Sequence, residues 1–213
     1  MIRRLWAHLA DRLNRSAAPA AGGASPAAAP LAAPTPTPPP GPDQSSKLPE
    51  RLGSFTLRRA STSPADSDLL LAAFASGCEA DPDLNARHPD SRQAIVTHAF
   101  ASRQISYPVD FPGVEFFLLE LGGAPAGRLY LQLTEARWFI VDLVLLPHCR
   151  GRGHGTALLS DLIRQAEAAQ RPVHLHVAKS NTRAAALYHR LGFRRVHELP
   201  RHYMLARNST RNP

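Results

Sequence analysis

The 213-residue chain is poor in cysteine, in lysine and in long apolar runs, and each shortage excludes something. Its two cysteines, Cys78 and Cys149, lie far apart without CxxC spacing, so neither a disulfide framework nor a zinc site is signalled. That usage fits a reducing cytosol, and a cytoplasmic protein is the expectation. No run approaches the ~18 consecutive apolar residues of a membrane-spanning helix, so no integral membrane protein is expected. Lysine is nearly absent: 23 of the 25 basic residues are Arg, and with 17 acidic residues the formal charge is +8. Arginine suits phosphate contacts, but a coding bias gives the same excess, so the charge alone selects no partner.

Proline is abundant, with 20 residues, and it is concentrated. Residues 16 to 44 hold ten Ala, nine Pro and three Gly against a single charge, Asp43, and no aromatic. Such a segment cannot bury enough surface to offset its ordering entropy, so 16–50 reads as a disordered Ala/Pro-rich linker. Ahead of it, Ile2, Leu5, Trp6, Leu9 and Leu13 fall on one helical stripe that Arg3, Arg4, Arg12 and Arg15 stay outside. Residues 1–15 read as a short basic amphipathic helix suited to peripheral docking on a membrane or a partner protein, against the plainer reading of a frayed terminus. His8, Asp11 and Arg12 interrupt any apolar region of a signal peptide.

From about residue 54 to 207 strand and helix signals alternate, which marks the folded domain; 208–213 is expected to be a flexible end. A strand at Phe55 to Ala60 precedes a helix opened by Ser63-Pro64, an N-cap followed by Pro at the first helical position. A second helix is expected from Pro89 to Ser102. Three strands follow at Val114 to Leu121, Gly127 to Leu133 and Trp138 to Leu146, with Gly122-Gly123 turning the first hairpin. In the middle strand Leu129, Leu131 and Leu133 alternate with Arg128, Tyr130 and Gln132, as in a half-buried strand. The third is apolar on both faces except Asp142, which predicts a central position. A helix follows with Leu158, Leu159, Leu162, Ile163 and Ala166 on one stripe. A strand is then expected at Val173 to Ala178, a helix from Thr182 to Leu191 closed by Gly192, and strands at Phe193 to Glu198 and Tyr203 to Ala206.

The most informative stretch joins the central strand to the Leu158 helix: Arg150, Gly151, Arg152, Gly153, His154, Gly155 and Thr156. Glycine at alternate positions before a helix lets backbone N–H groups approach phosphates, and the helix dipole adds about half a positive charge. A Walker A loop is excluded because no Lys follows these glycines. A dinucleotide fingerprint fails at Thr156 and lacks the acidic residue ~20 positions on. The remaining pattern is RxxGxG, met by Arg150, Gly153 and Gly155.

With that loop, the lead-in Asp142-Leu143-Val144-Leu145-Leu146-Pro147 and the run Asn181 to Phe193, which carries an N, A, LY, LGF signature, the chain resembles the Gcn5-related N-acetyltransferases (GNAT) over about residues 55 to 206. The resemblance implies an α/β (α+β) fold, a mixed, mostly antiparallel sheet splayed between the family's fourth and fifth strands with flanking helices, and the pantetheine arm of acetyl-CoA in the gap. It implies that the backbone of Leu143, Val144 and Leu145 faces the pantetheine and thioester, with Leu143 N–H donating to the thioester oxygen. It also implies that Arg150, Gly151, Arg152, Gly153, His154, Gly155 and Thr156 hold the pyrophosphate, and that Asn181 contacts the cosubstrate. Acetyl-CoA is then a cosubstrate, and the chain an acyl-CoA-dependent N-acetyltransferase acting on a primary amine by direct attack in a ternary complex.

Tyr188 matches the family tyrosine near the CoA sulfur, a general acid; by periodicity alone it is a core residue beside Ala184, Leu187 and Leu191. Two residues compete as base. Asp142 is a lone carboxylate in an apolar strand, which needs a partner or a function; the plainer reading pairs it with Arg128 or Arg137. His176 occupies a place where some family members carry an acid, and imidazole has a suitable intrinsic pKa. His174 and His176 share a face, but no third ligand at a readable spacing accompanies them, so no metal is expected. Cys149 reads as a packing residue rather than a nucleophile. Gln104, Tyr107, Asp110 and Phe111 are candidates for lining an amine pocket.

A catalytically inactive acyl-CoA-binding module docked through residues 1–15 is the alternative. Nucleic acid is not the expected partner, because no helix-turn-helix or aromatic RNA-binding signature accompanies the arginines.

Overall fold

The computed structural model describes residues 48–79 and 82–208. The readings made for residues 1–15, for most of the linker and for the last residues fall outside that description. In chain order the elements are β1 (Arg51–Leu52), β2 (Phe55–Arg59), α1 (Pro64–Cys78), α2 (Pro82–Asn85), α3 (Pro89–Asp110), β3 (Glu115–Leu121), β4 (Ala124–Leu133), β5 (Trp138–Leu145), a 3-10 turn (Pro147–Cys149), α4 (His154–Ala168), β6 (Val173–Ala178), α5 (Thr182–Arg190), β7 (Arg194–Glu198) and β8 (His202–Arg207).

The strands form one sheet in the order β1-β2-β3-β4-β5-β6-β8-β7. Every neighbouring pair is antiparallel except β5 and β6, which α4 connects as a crossover. The expected mixed, mostly antiparallel sheet is therefore present, with Gly122 and Gly123 both at positive φ in the β3–β4 turn. The family's fourth strand is β5 here, because the two-residue β1 precedes the others.

One face of the sheet carries α4 and α5. There Leu129, Leu131, Ile140 and Leu175 pack against the α4 stripe of Leu158, Leu159, Leu162, Ile163 and Ala166, all 5% exposed or less. Full burial of each such leucine contributes roughly 1.5–3 kcal/mol. The other face carries α1 and α3, with Leu70, Leu118 and Tyr130 at its centre. This second cover changes one expectation. Arg128, Tyr130 and Gln132 do not face solvent; they are 1%, 0% and 9% exposed, so β4 is buried on both sides.

Three further differences have local causes. The second helix does not stop at Ser102 but continues to Asp110, with Pro108 in its last turn, where Phe111 N–H still bonds Tyr107 O at 2.8 Å. Tyr107 packs on Tyr130, so tertiary contact holds the extra turns. Strand β1 was not expected, since two residues carry no periodicity; Leu52 nevertheless is fully buried and pairs with Phe55. The short α2 was also unexpected. Helix α1 begins as its cap predicted: Ser63 Oγ accepts from Asp66 N–H at 3.2 Å. Asp66 in turn accepts from Arg58 and from Ser61, interactions that hold its carboxyl far below the usual carboxylate range. No helix among the described residues is long and apolar enough to cross a membrane.

Candidate active site

The site begins where β6 leaves β5. Pairing runs through Trp138 with Val173, Phe139 with His174 and Ile140 with Leu175, and goes no further. Burial follows pairing: Trp138, Phe139 and Ile140 are buried, whereas Val141 to Leu145 are each half-exposed. A bulge marks the departure, because Tyr130 opposes Asp142 while Leu131 opposes Ile140, leaving Val141 extra on β5. Beyond it β5 keeps β4 and has an open edge toward β6.

Which backbone groups face that edge follows from the ladder. Leu146 N–H bonds Ala126 O at 2.8 Å, so in the alternating antiparallel pattern Val144 and Asp142 exchange bonds with β4. Leu143 and Leu145 then turn their N–H and C=O groups away from β4, toward the gap. The strands also approach closely here, since a Cβ on Gly127 would lie 2.2 Å from Val144 O. Side chains alternate as well. Leu143 and Leu145 join the α4 and α5 face, and Asp142 the α1 and α3 face.

Next along the chain, Pro147–Cys149 turns the backbone toward α4. Cys149 is 1% exposed, and burial pushes its thiol up, which makes it a packing residue and a poor nucleophile. Arg150 donates Nε to Leu145 O at 2.7 Å and Nη2 to both Ser76 O and Ser76 Oγ at 2.9 Å. Its guanidinium therefore straps the loop to β5 and α1. Gly153, with φ +80°, is the N-cap of α4 and offers no side-chain cap. Ala157 N–H bonds Gly153 O at 3.0 Å, while among the described residues the N–H groups of 151 to 156 find no acceptor. Free N–H donors at a helix start are the arrangement by which backbone binds anions. A Cβ on Gly153 would meet nothing within 4 Å, so the space in front of the loop is open. Arg152 and Thr156 are exposed at its rim, and the His154 ring meets Phe55 edge-on at 5.7 Å.

Sequence reasoning missed Arg183, whose Nη2 lies 3.7 Å from where a Cβ on Gly151 would stand. A cation in the first turn of α5 is unfavourable to the helix dipole unless an anion is near, and that is the signal that could have found it. Asn181 caps the same helix, its Oδ1 accepting from Ala184 N–H at 3.1 Å.

Tyr188 is half-buried on α5 against Phe193, with rings 5.6 Å apart. Burial, reinforced by the Asp142 charge, pushes its phenol up to about 12. Across the sheet, Asp142 Oδ2 accepts from Arg128 Nη2, so the ion-pair reading of Asp142 is realised. Arg128 lies over the Tyr130, Phe74 and Phe100 rings at 4.9, 5.1 and 5.9 Å and donates to Leu70 O at 3.2 Å. His176 is exposed beside Phe139, ring centroids 5.2 Å apart, and burial together with His202 and Arg137 pulls its imidazole below the ordinary value. Of the four candidate pocket residues, Gln104 accepts from Tyr130 Oη at 3.3 Å, Tyr107 meets Tyr130 at 5.9 Å and Phe111 meets Phe139 at 5.1 Å; Asp110 is exposed. An open hollow at Gly192, Arg194 and Ala206 lies toward the β7 edge and belongs to none of this.

Residues 81–193 match the Acetyltransferase (GNAT) family. An uncharacterised N-acetyltransferase of Methanocaldococcus jannaschii is 30% identical over 123 residues, 57% of this chain and 78% of that protein. In fold the chain is similar to the PaiA N-acetyltransferase of Thermoplasma acidophilum, crystallised with coenzyme A, at a TM-score of 0.56 and 12% identity over 73% of this chain and 99% of that one. An acetyltransferase of Thermus thermophilus gives 0.52 at 23% identity, over 74% and 99%. The fold thus has its counterpart in known proteins, and the chain belongs to the GNAT acetyltransferase family as an N-acetyltransferase.

Proposed function

We propose that the protein transfers the acetyl group of acetyl-CoA to a primary amine by direct attack in a ternary complex. The observation that carries this reading is the open edge of β5 leading straight into six unpaired N–H groups at residues 151 to 156. An extended arm with a thioester at one end and a pyrophosphate at the other matches that succession. Pyrophosphate oxygens would take the loop amides, helped by Arg152 and Arg183, while Arg150 holds the loop in shape. The pantetheine would lie against Leu143 to Leu145, with Leu143 N–H polarising the thioester carbonyl.

In the reaction the amine lone pair attacks the carbonyl carbon, the C–N bond forms and the C–S bond breaks. The departing sulfur accepts a hydrogen bond from Tyr188, whose phenol stays protonated through the neutral range. The proton lost by the amine goes to His176 or, through water, to Asp142. His176 is the better acceptor, because burial with His202 and Arg137 pulls its imidazole below the ordinary value and disfavours the charged form, whereas Arg128 engages the Asp142 carboxylate. No enzyme nucleophile is needed, consistent with the buried Cys149.

Calorimetric titration with acetyl-CoA followed by thiol release over a panel of amines tests the reading. Binding with turnover is expected. Binding without turnover on any amine would favour an acyl-CoA-binding module, and failure to bind would overturn the proposal.

A further inference from the structure

A cluster on the α1 and α3 face of the sheet has no place in binding acetyl-CoA. Register puts His174 beside Phe139 and Ala206, and His176 beside Met204; two residues before Met204, His202 points off the same face. The Phe139 ring is the centre of this surface. It meets His176 at 5.2 Å, His174 at 6.5 Å and Phe111 at 5.1 Å, and the Arg137 guanidinium lies over it at 5.5 Å. From Phe111 contact passes to Tyr107 at 6.3 Å, whose hydroxyl accepts from Arg103 at 3.4 Å. Arg137 thus lies over an aromatic and imidazole floor that adjoins Asp142 at the mouth of the gap, and Arg103, whose guanidinium also lies over the Phe74 ring at 5.0 Å, stands at its Tyr107 end.

Among the described residues Arg103 and Arg137 have no ion-pair partner, as is true of several other arginines, whereas Arg58, Arg59, Arg128, Arg150, Arg164, Arg195 and Arg207 pair with acids. Asp142 is taken by Arg128, and neither Asp110 nor Glu135, at the nearby ends of α3 and the β4–β5 turn, bridges to either arginine. Among the described residues His174 Nδ1 is buried without a hydrogen-bond partner. A polycation brought here would meet Arg137 and Arg103 beside the carboxylates of Asp110 and Glu135 and the second oxygen of Asp142. An anion would meet two unpaired guanidinium groups, which bind carboxylate and phosphate in the same forked geometry.

We propose that the acceptor is an amine that also carries an anionic group, a carboxylate or a phosphate, which Arg137 and Arg103 bind over the Phe139 floor while the amine points toward Asp142 and the gap. The inference rests on the acetyl-transfer reading above and narrows its acceptor. A small zwitterionic amine fits: its anion pairs with the arginines, its apolar body lies on Phe139 and Phe111, and His176 stands beside the nitrogen to take the proton.

The test uses the full chain, acetyl-CoA and matched amine pairs: β-alanine against β-alaninamide, phosphoethanolamine against ethanolamine, with spermidine as the polycation. The expected result is a kcat/KM at least about tenfold higher for one anionic member than for its neutral match, the pair that responds identifying carboxylate or phosphate. Arg137→Gln and Arg103→Gln should each raise KM for that substrate about tenfold or more, with the acetyl-CoA Kd unmoved. Equal turnover within both pairs, or a preference for spermidine, overturns the inference and leaves the acetyl-transfer reading intact. Thiol release with none of the amines, in a protein that binds acetyl-CoA, overturns the amine-acceptor reading and this inference with it.

Discussion

Arg128 on β4 holds the carboxylate of Asp142 on β5 at the point where β5 bulges and parts from β6. Their side chains are 1% and 14% exposed, so this is a buried pair, enclosed by Phe74, Phe100 and Tyr130. Removing one partner of such a pair strands the other charge and costs about 3–5 kcal/mol. Asp142→Ala should therefore lower stability by that order in denaturant unfolding, and an Arg128→Met, Asp142→Leu double variant should recover most of the loss. A single variant as stable as the parent would contradict the pairing.

Gly153 caps α4 at φ +80° with open space before it. In Gly153→Leu the new side chain meets no protein atom but is strained at φ +80°, so a melting temperature a few degrees lower is expected with the helix content kept, together with an acetyl-CoA Kd raised at least about tenfold by filling the approach to the loop amides. Arg183→Ala should weaken the same affinity by a smaller factor, more at low salt than at high. Unchanged affinity in both variants would remove the loop from the site.

Tyr188→Phe separates binding from chemistry. The hydroxyl is the only group lost, so acetyl-CoA affinity should hold while kcat falls by about 10- to 100-fold, as for loss of a positioned proton donor. Equal turnover would return Tyr188 to the packing role it has against Phe193.

The sheet's histidines give the protein a pH signature. Burial depresses His174, His176 and His202 in the folded state, so below the ordinary imidazole pKa of about 6.5 the unfolded chain binds protons that the folded chain resists. Stability should be unaffected by them above that pH and should fall as pH drops through it. The depressed carboxylates of Asp66 and Glu198 act in the same direction only below about pH 4.5. A melting temperature lower at about pH 5.5 than at about 7.5, with the difference reduced when His174 and His176 become Asn, is the expected outcome. A higher one would reverse the sign.

The parts of the fold carried by local pattern were legible in the chain: the alternation of β4, the apolar β5, the Gly122-Gly123 turn and the Gly-rich loop. What was not legible depends on distant partners. Arg128 reads as an outward residue until α1 and α3 are known to cover its face, and the bond from the Arg150 guanidinium to Ser76, 74 positions away, is invisible from the loop sequence. The extension of α3 through Pro108 is likewise fixed by Tyr107 on Tyr130, a contact between residues far apart in the chain. The arginine and histidine floor around Phe139 gathers residues from α3, β5, β6 and β8, so no window of sequence contains it.

The most direct test is calorimetric titration of the full chain with acetyl-CoA, alongside the Gly153→Leu variant. Saturable binding to a single class of site, lost or strongly weakened in the variant, is predicted. Absence of binding in the parent, or equal binding in both, would contradict the assignment of the β5 edge and the 151–156 loop as the acetyl-CoA site.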